Sequence, residues 1–167
     1  PLGDVRDIVS HSNTRFGLRL FKLMPRTFPC DAIRDDSNPD DPWVNNPSVQ
    51  SKYQNFTIYK NLEAGVLAEE MGNIVFENFV VAENYIAGFE FFEANFTREP
   101  PVIINSAIIG QSTTNAHSDP TNYTNGMAAI ITGKTGEYNL SDVRIFNYPA
   151  GSLLIQTCRF CDDQLKC

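Results

Sequence analysis

An all-β solenoid, built as a parallel β-helix, is the fold class this sequence predicts, and three observations predict it. The first is a recurring Asn-x-x-x-Gly pentad: Asn13-Thr14-Arg15-Phe16-Gly17, Asn61-Leu62-Glu63-Ala64-Gly65, Asn84-Tyr85-Ile86-Ala87-Gly88 and Asn147-Tyr148-Pro149-Ala150-Gly151. The second is what flanks it. Each copy follows an apolar-rich, strand-like run (IVSHSN, TIYKN, VVAEN, VRIFN) and precedes another (LRLF, VLAE, FEFF, SLLI). The third is the period, 23 residues from Asn61 to Asn84 and again from Gly65 to Gly88. Self-similarity at that spacing signals a stack of coils.

The residue types give the pentad its meaning. Asn bonds its own main chain and tolerates left-handed backbone, while Gly takes positive φ without penalty, so the pentad reads as a bend between two strands. Helical spacing is almost absent, which disfavours a leucine-rich horseshoe. In a β-helix each coil supplies two or three short strands, and equivalent residues lie about 4.8 Å apart from coil to coil. Asn61 and Asn84 then stack and share amide hydrogen bonds, and Asn13 and Asn147 extend the ladder where their coils align.

Taken in order, residues 4–21 make a first coil ending on alternating Leu18 and Leu20. An excursion near 22–52 follows, and Pro25, Pro29, Pro39, Pro42 and Pro47 exclude a central strand or a helix there. Residues 53–69 form the second coil and 73–93 the third, whose inward residues are expected to be Val81, Ile86 and Phe91. Asn55-Phe56-Thr57 and Asn78-Phe79-Val80 begin matching strands, and Asn105 begins a fourth coil in the same way. There Gln111 takes the ladder position, and a polar excursion near 112–125 delays the strand MAAIIT. Residues 138–157 form the last full coil. No low-complexity tract or interdomain linker interrupts the chain, so residues 1–167 read as one domain.

The whole chain sets further bounds. At 167 residues it is long enough for one real core. Its charge of −7 argues against nucleic acid or an anionic membrane as partner. Twelve Phe and six Tyr beside a single Trp suit strands. No run approaches the length of a transmembrane helix, and no secretory n-region/h-region pattern opens the chain. Solenoids need polar caps, and neither end of the sequence offers one. The expectation is therefore a segment of a longer β-helix.

Cys30, Cys158, Cys161 and Cys167, with sequons at Asn55, Asn95, Asn122 and Asn139, point to the secretory pathway. Asn122 is the sequon best placed for a glycan, because its loop composition predicts exposure. Four cysteines allow three disulfide pairings, and the spacing does not choose among them. Cys158-x-x-Cys161 is also half of a zinc site, but a second pair at metal spacing is missing. Asp31, Asp35, Asp36, Asp40 and Asp41 crowd the first excursion. They lack the spacing and glycine of an EF-hand, so a solvated acidic loop is the better reading and no metal or cofactor is expected. His117 lies beside Asp119, and His11 lies in a strand or turn; neither has a legible nucleophile or third partner. Glu69, Glu70, Glu90, Glu93, Asp142 and Arg144 are the charged candidates for a polysaccharide groove, scattered rather than convergent.

At YQNFTIYKNLEAGVLAEE and NIVFENFVVAENYIAGFEF the chain resembles the β-helix region of fibrocystin and fibrocystin-L. More distantly it resembles the related cell-surface and secreted hyaluronidases. The similarity extends upstream through HSNTRFGLRLF to Phe28-Pro29-Cys30 and downstream to Cys158-Arg159-Phe160-Cys161. It departs in the acidic excursion after Cys30 and in the sequon-bearing one before Gly126. The resemblance implies a right-handed parallel β-helix in the ectodomain of a membrane-anchored or secreted protein, at the cell surface or the ciliary membrane. In the hyaluronidase relatives the proposed catalytic carboxylates and histidine belong to an N-terminal domain, the G8 domain, which no stretch here matches. No catalytic residue is therefore carried over.

The expected function is a non-catalytic extracellular structural and recognition module. Its partners would be neighbouring domains, other ectodomains or glycans. The alternative is part of a carbohydrate-active β-helix protein whose catalytic residues lie outside this segment.

Overall fold

The computed structural model describes residues 3–23, 25, 48–92, 100–111, 128–133, 138–148, 150 and 152–157. Among them there is no helix. Eleven strands follow in order: β1 (Val5–His11), β2 (Leu18–Phe21), β3 (Ser51–Tyr59), β4 (Ala64–Glu69), β5 (Ile74–Glu77), β6 (Val80–Ala82), β7 (Ala87–Phe92), β8 (Val102–Ile109), β9 (Ala128–Thr132), β10 (Asn139–Phe146) and β11 (Ile155–Thr157). They form two all-parallel sheets, β1-β3-β5-β8-β10 with β6 between β3 and β8, and β2-β4-β7-β9-β11. Apart from β5 and β6, which follow each other within the first sheet, successive strands alternate between the sheets, so five coils stack in a solenoid-like arrangement.

The 23-residue period is the register itself. Ser51 pairs with Ile74, and Ala64 pairs with Ala87. Between other coils the offset is longer, as in Val75 with Val102 and Val5 with Tyr53. The excursion after Lys22 mostly lies outside the described residues. Its neck is closed where Val49 N–H donates to Pro25 O at 2.9 Å and Gly72 N–H donates to Leu23 O at 3.3 Å. The second coil begins two residues earlier than the sequence suggests, at Ser51.

The core lies between the sheets and is built from stacked columns. Phe56 and Phe79, one coil apart, stack face to face with centroids 4.7 Å apart. Phe76 meets Phe79, Phe89 and Phe91 edge-on, and Phe91 stacks on Tyr138. These five phenylalanines and Val81 are essentially solvent-free. Of the residues expected inward, Val81 and Phe91 belong to this core. Ile86 does not: it is half-buried and packs against a second cluster of Ala64, Ala87, Ala128 and Ile131. The reason is geometric, since Ile86 lies in the bend rather than in a strand whose alternate residues face the core.

The bends differ from the expectation in two ways. The described motif glycines, Gly17, Gly65 and Gly88, take no left-handed φ. They are there because neighbours approach: a Cβ on Gly65 would lie 2.6 Å from Val81 Cγ1, 2.7 Å from Asn84 Nδ2 and 2.8 Å from Gly88 O. The left-handed residue is instead the one before the ladder position: Ser12, Lys60 and Glu83 ahead of Asn13, Asn61 and Asn84, and Asn147 ahead of Tyr148. A second left-handed column runs through the middle of the first sheet: Asp7, Asn55, Asn78, Asn105 and Asp142. Asn55 and Asn78 therefore do not begin strands; they bend a continuing run of pairing.

The register also corrects the fourth pentad. Phe146 pairs with Ile109, so Asn147 falls opposite Gly110, one residue ahead of the ladder position, which Tyr148 fills. Ile155 pairs with Ile130, so the column of Gly65 and Gly88 continues as Ala129 and Leu154. The fourth copy matches in composition and not in place.

Candidate functional site

The most ordered polar feature of the molecule is a pair of side-chain ladders running across the coils. In the first bend, Asn13 Nδ2 donates to Asn61 Oδ1 at 2.8 Å, and Asn61 Nδ2 donates to Asn84 Oδ1 at 2.8 Å. The backbone N–H of Asn13 and of Asn61 reach the same two oxygens at 3.1 Å. Asn61 and Asn84 are buried, so these bonds satisfy amides that burial would otherwise penalise. Donation ends at Asn84, whose Nδ2 has no partner among the described residues. The next rung offers Gln111, but its side chain is exposed. The turn backbone is laddered too: Leu62 N–H donates to Asn13 O, and Tyr85 N–H donates to Asn61 O.

The second ladder is exposed and runs the opposite way. Asn78 Nδ2 donates to Asn55 Oδ1 at 3.1 Å, and Asn55 Nδ2 donates to Asp7 Oδ1 at 2.8 Å. The sequon residue Asn55 is thus exposed but engaged on both sides. Asn139 is exposed at the start of β10. Asn95 and Asn122 lie outside the described residues.

Charged side chains pair from rung to rung. Arg15 Nε donates to Glu63 Oε1 at 2.9 Å, and Arg19 Nη2 lies 3.0 Å from Glu69 Oε2. Lys22 reaches Glu70 at 3.5 Å, Lys52 reaches Glu77 at 3.5 Å and Lys60 approaches Glu83 at 3.9 Å. In every pair the cation sits on one coil and the acid on the next. The hydrogen bond to Glu63, helped by its charge, raises the Arg15 pKa. Exposed pairs of this kind contribute little singly, but they keep like charges from stacking.

The groove candidates do not converge. Glu69 and Glu70 are held by Arg19 and Lys22, and Glu90 is buried in the second sheet. Asp142 and Arg144 are exposed on β10, and Glu93 lies outside the described residues. His11 stacks on Tyr59 with centroids 4.7 Å apart, and its Nδ1 is 3.1 Å from Ser12 Oγ. His117, Asp119, the Asp31–Asp41 cluster, Cys30, Cys158, Cys161 and Cys167 all lie outside the described residues. Among the described residues no group of three His, Cys, Asp or Glu side chains could hold a metal ion. No described helix is long and apolar enough to cross a membrane.

Three tyrosines have raised pKa values through burial: Tyr53, Tyr138 and, most strongly, Tyr148. The Tyr148 hydroxyl donates to Ala128 O at a long 3.4 Å. Its ring explains Gly110, where a Cβ would lie 2.9 Å from Tyr148 Cγ and 2.6 Å from Asn147 O. Sequence reasoning missed the left-handed residues Ser12, Lys60 and Glu83, because nothing in their chemistry favours that conformation. Their only signal is position, immediately ahead of each ladder asparagine. Comparison of the chain with protein-family models, with curated proteins and with solved structures finds no match in any of the three.

Proposed function

We propose that this chain is a non-catalytic structural and recognition module, a stiff right-handed parallel β-helix segment of a fibrocystin-like extracellular protein. The observation that carries the reading is the employment of its polar side chains. Asparagines are spent on coil-to-coil ladders, and Glu63, Glu69, Glu70, Glu77 and Glu83 each face a cation from the preceding coil. A polysaccharide-cleaving groove needs carboxylates free to exchange protons and placed toward one another. Pairing along the coil axis serves stiffness instead, as in other one-dimensional stacks. The handedness, the compartment and the kinship rest on the resemblance of the repeats, YQNFTIYKNLEAGVLAEE and NIVFENFVVAENYIAGFEF, to the fibrocystin β-helix region.

On this reading recognition falls to the two excursions, near residues 22–52 and 112–125, with neighbouring domains, other ectodomains or glycans as partners. The test is incubation of the folded chain with hyaluronan and with neutral polysaccharides, followed by light scattering of polymer length. Unchanged length is expected. Shortening of any polymer by the purified chain overturns the non-catalytic reading. Deleting Asp35 to Asp41 should leave the melting temperature nearly unchanged while weakening partner binding. Cooperative loss of the fold on that deletion would make the loop part of the core.

A further inference from the structure

In the exposed ladder, Asn55 uses one hydrogen of its amide and leaves the other idle. It lies in an inner coil, between Asp7 on β1 and Asn78 ahead of β6. Its Oδ1 accepts from Asn78 Nδ2 at 3.1 Å, and its Nδ2 donates to Asp7 Oδ1 at 2.8 Å. The two bonds leave in opposite directions along the coil axis, because β1 and β6 flank β3 on opposite sides. The donated hydrogen is therefore the one trans to Oδ1, as in a main-chain amide. The second Nδ2 hydrogen lies on the Oδ1 side of the amide, and it has no partner among the described residues. The side chain itself is exposed.

Asn55 is also the one asparagine of this column with a hydroxyl residue two places on. Asn78 is followed by Phe79-Val80 and Asn105 by Ser106-Ala107, whereas Asn55 is followed by Phe56-Thr57. Thr57 sits in an outward column that otherwise reads Val9, Val80, Ala107 and Arg144. Threonine suits a strand, but its side chain makes no hydrogen bond among the described residues. An idle amide hydrogen and an idle threonine hydroxyl at this spacing are the acceptor and the recognition group of N-glycosylation.

We infer that Asn55 carries an N-linked oligosaccharide and keeps its place in the ladder while carrying it. This rests on the extracellular reading, because the donor, an oligosaccharide on a polyprenyl pyrophosphate, belongs to the secretory pathway. Transfer to the unfolded chain forms a bond from Nδ2 to the sugar C1 and breaks the bond from C1 to the pyrophosphate oxygen. The pyrophosphate leaves with that electron pair, and Nδ2 gives one proton to a base of the host transferase. The resulting secondary amide prefers trans, which puts C1 on the Oδ1 side. That is the side the ladder leaves open, so both ladder bonds survive. The sugar then lies beside the outward column of Thr57 and covers Val80, which is 42 % exposed. The outer face of the first sheet becomes a glycan-covered surface, and recognition is left to the excursions.

The test is site-by-site mapping of the full chain, secreted from an animal cell line behind a signal peptide. Digestion with an asparagine amidase in heavy-oxygen water labels each position that bore a sugar. Label at Asn55 is expected in most secreted chains, at least as often as in chains retained inside the cell. Thr57→Val should lose that label and Thr57→Ser should keep it. Label at Asn122 or Asn139 with none at Asn55 overturns the inference and leaves the extracellular reading standing. Label at none of the four sequons overturns the inference and also removes the sequons' support for that reading. Label at Asn55 confined to retained chains overturns it as well, because sugar and ladder would then exclude each other. If a Thr57 variant is not secreted, the secreted and retained wild-type fractions decide alone.

Discussion

Asn61 donates twice to one oxygen: its Nδ2 lies 2.8 Å from Asn84 Oδ1, and its backbone N–H lies 3.1 Å from the same atom. Asn61 Oδ1 accepts the same two bonds from Asn13. One buried side chain thereby fixes the bend of three successive coils. Asn61→Ala should cost about 2–4 kcal/mol, since it removes the buried acceptor of both Asn13 donors and the side-chain donor to the buried Asn84 Oδ1. Asn13→Ala, at the exposed end, should cost under about 1.5 kcal/mol. Urea unfolding of both variants checks the difference, and equal losses would mean that the ladder does not act as a ladder.

The orphan Nδ2 of Asn84 makes a complementary prediction. Gln111 occupies the next rung, but its longer side chain is exposed. Gln111→Asn shortens it by one methylene and offers an oxygen at the ladder depth. The variant should gain about 1 kcal/mol, the net worth of one hydrogen bond to a buried group. A loss of stability in the same urea experiment would show that the rung cannot close.

Phe91 is 2 % exposed and packs against Phe76, Phe89 and Tyr138. Phe91→Ala should destabilise by about 3–5 kcal/mol, the usual cost of emptying a buried aromatic site. Phe92, its neighbour on the opposite side of the strand, is 47 % exposed. Phe92→Ala should cost less than about 1 kcal/mol. Comparable losses for the two would contradict the alternation of β7.

Burial raises the Tyr148 pKa above its ordinary value of 10.0. The unfolded chain ionises this phenol near pH 10, while the folded chain resists. The stability it contributes is therefore complete below about pH 10 and is lost as pH rises toward the folded value. Thermal melts between pH 8 and pH 11 should fall more steeply for wild type than for Tyr148→Phe. Parallel curves would mean that Tyr148 ionises freely in the folded state.

The solenoid-like stack was legible because its register equals a spacing printed in the chain. Asn61 and Asn84 share a residue type, a distance in sequence and a flanking pattern, and the two are hydrogen-bonded. The same reasoning misled at Asn147, where a pentad of matching letters sits one rung position early. A 37-residue offset between Val102 and Asn139 separates those coils, so no constant period was left to expose the slip. The left-handed Lys60 and Glu83 were not legible at all. Backbone strain there is imposed by neighbouring rungs, and long charged side chains carry no sign of it. The charge pairs were hidden for a related reason. Arg15 and Glu63 are 48 residues apart, and only the stacked register makes them neighbours.

Stacking of all five coils along one axis is the central claim, and pulsed electron-spin resonance measures it directly. Val9, on β1, and Arg144, on β10, occupy the same outward column four rungs apart, through Thr57, Val80 and Ala107. Both are exposed. Spin labels at Val9→Cys and Arg144→Cys, with the four native cysteines replaced by serine, should give one narrow distance near 20 Å. That is about four strand spacings of 4.8 Å. A broad distribution, or a distance beyond about 35 Å, would contradict the stack.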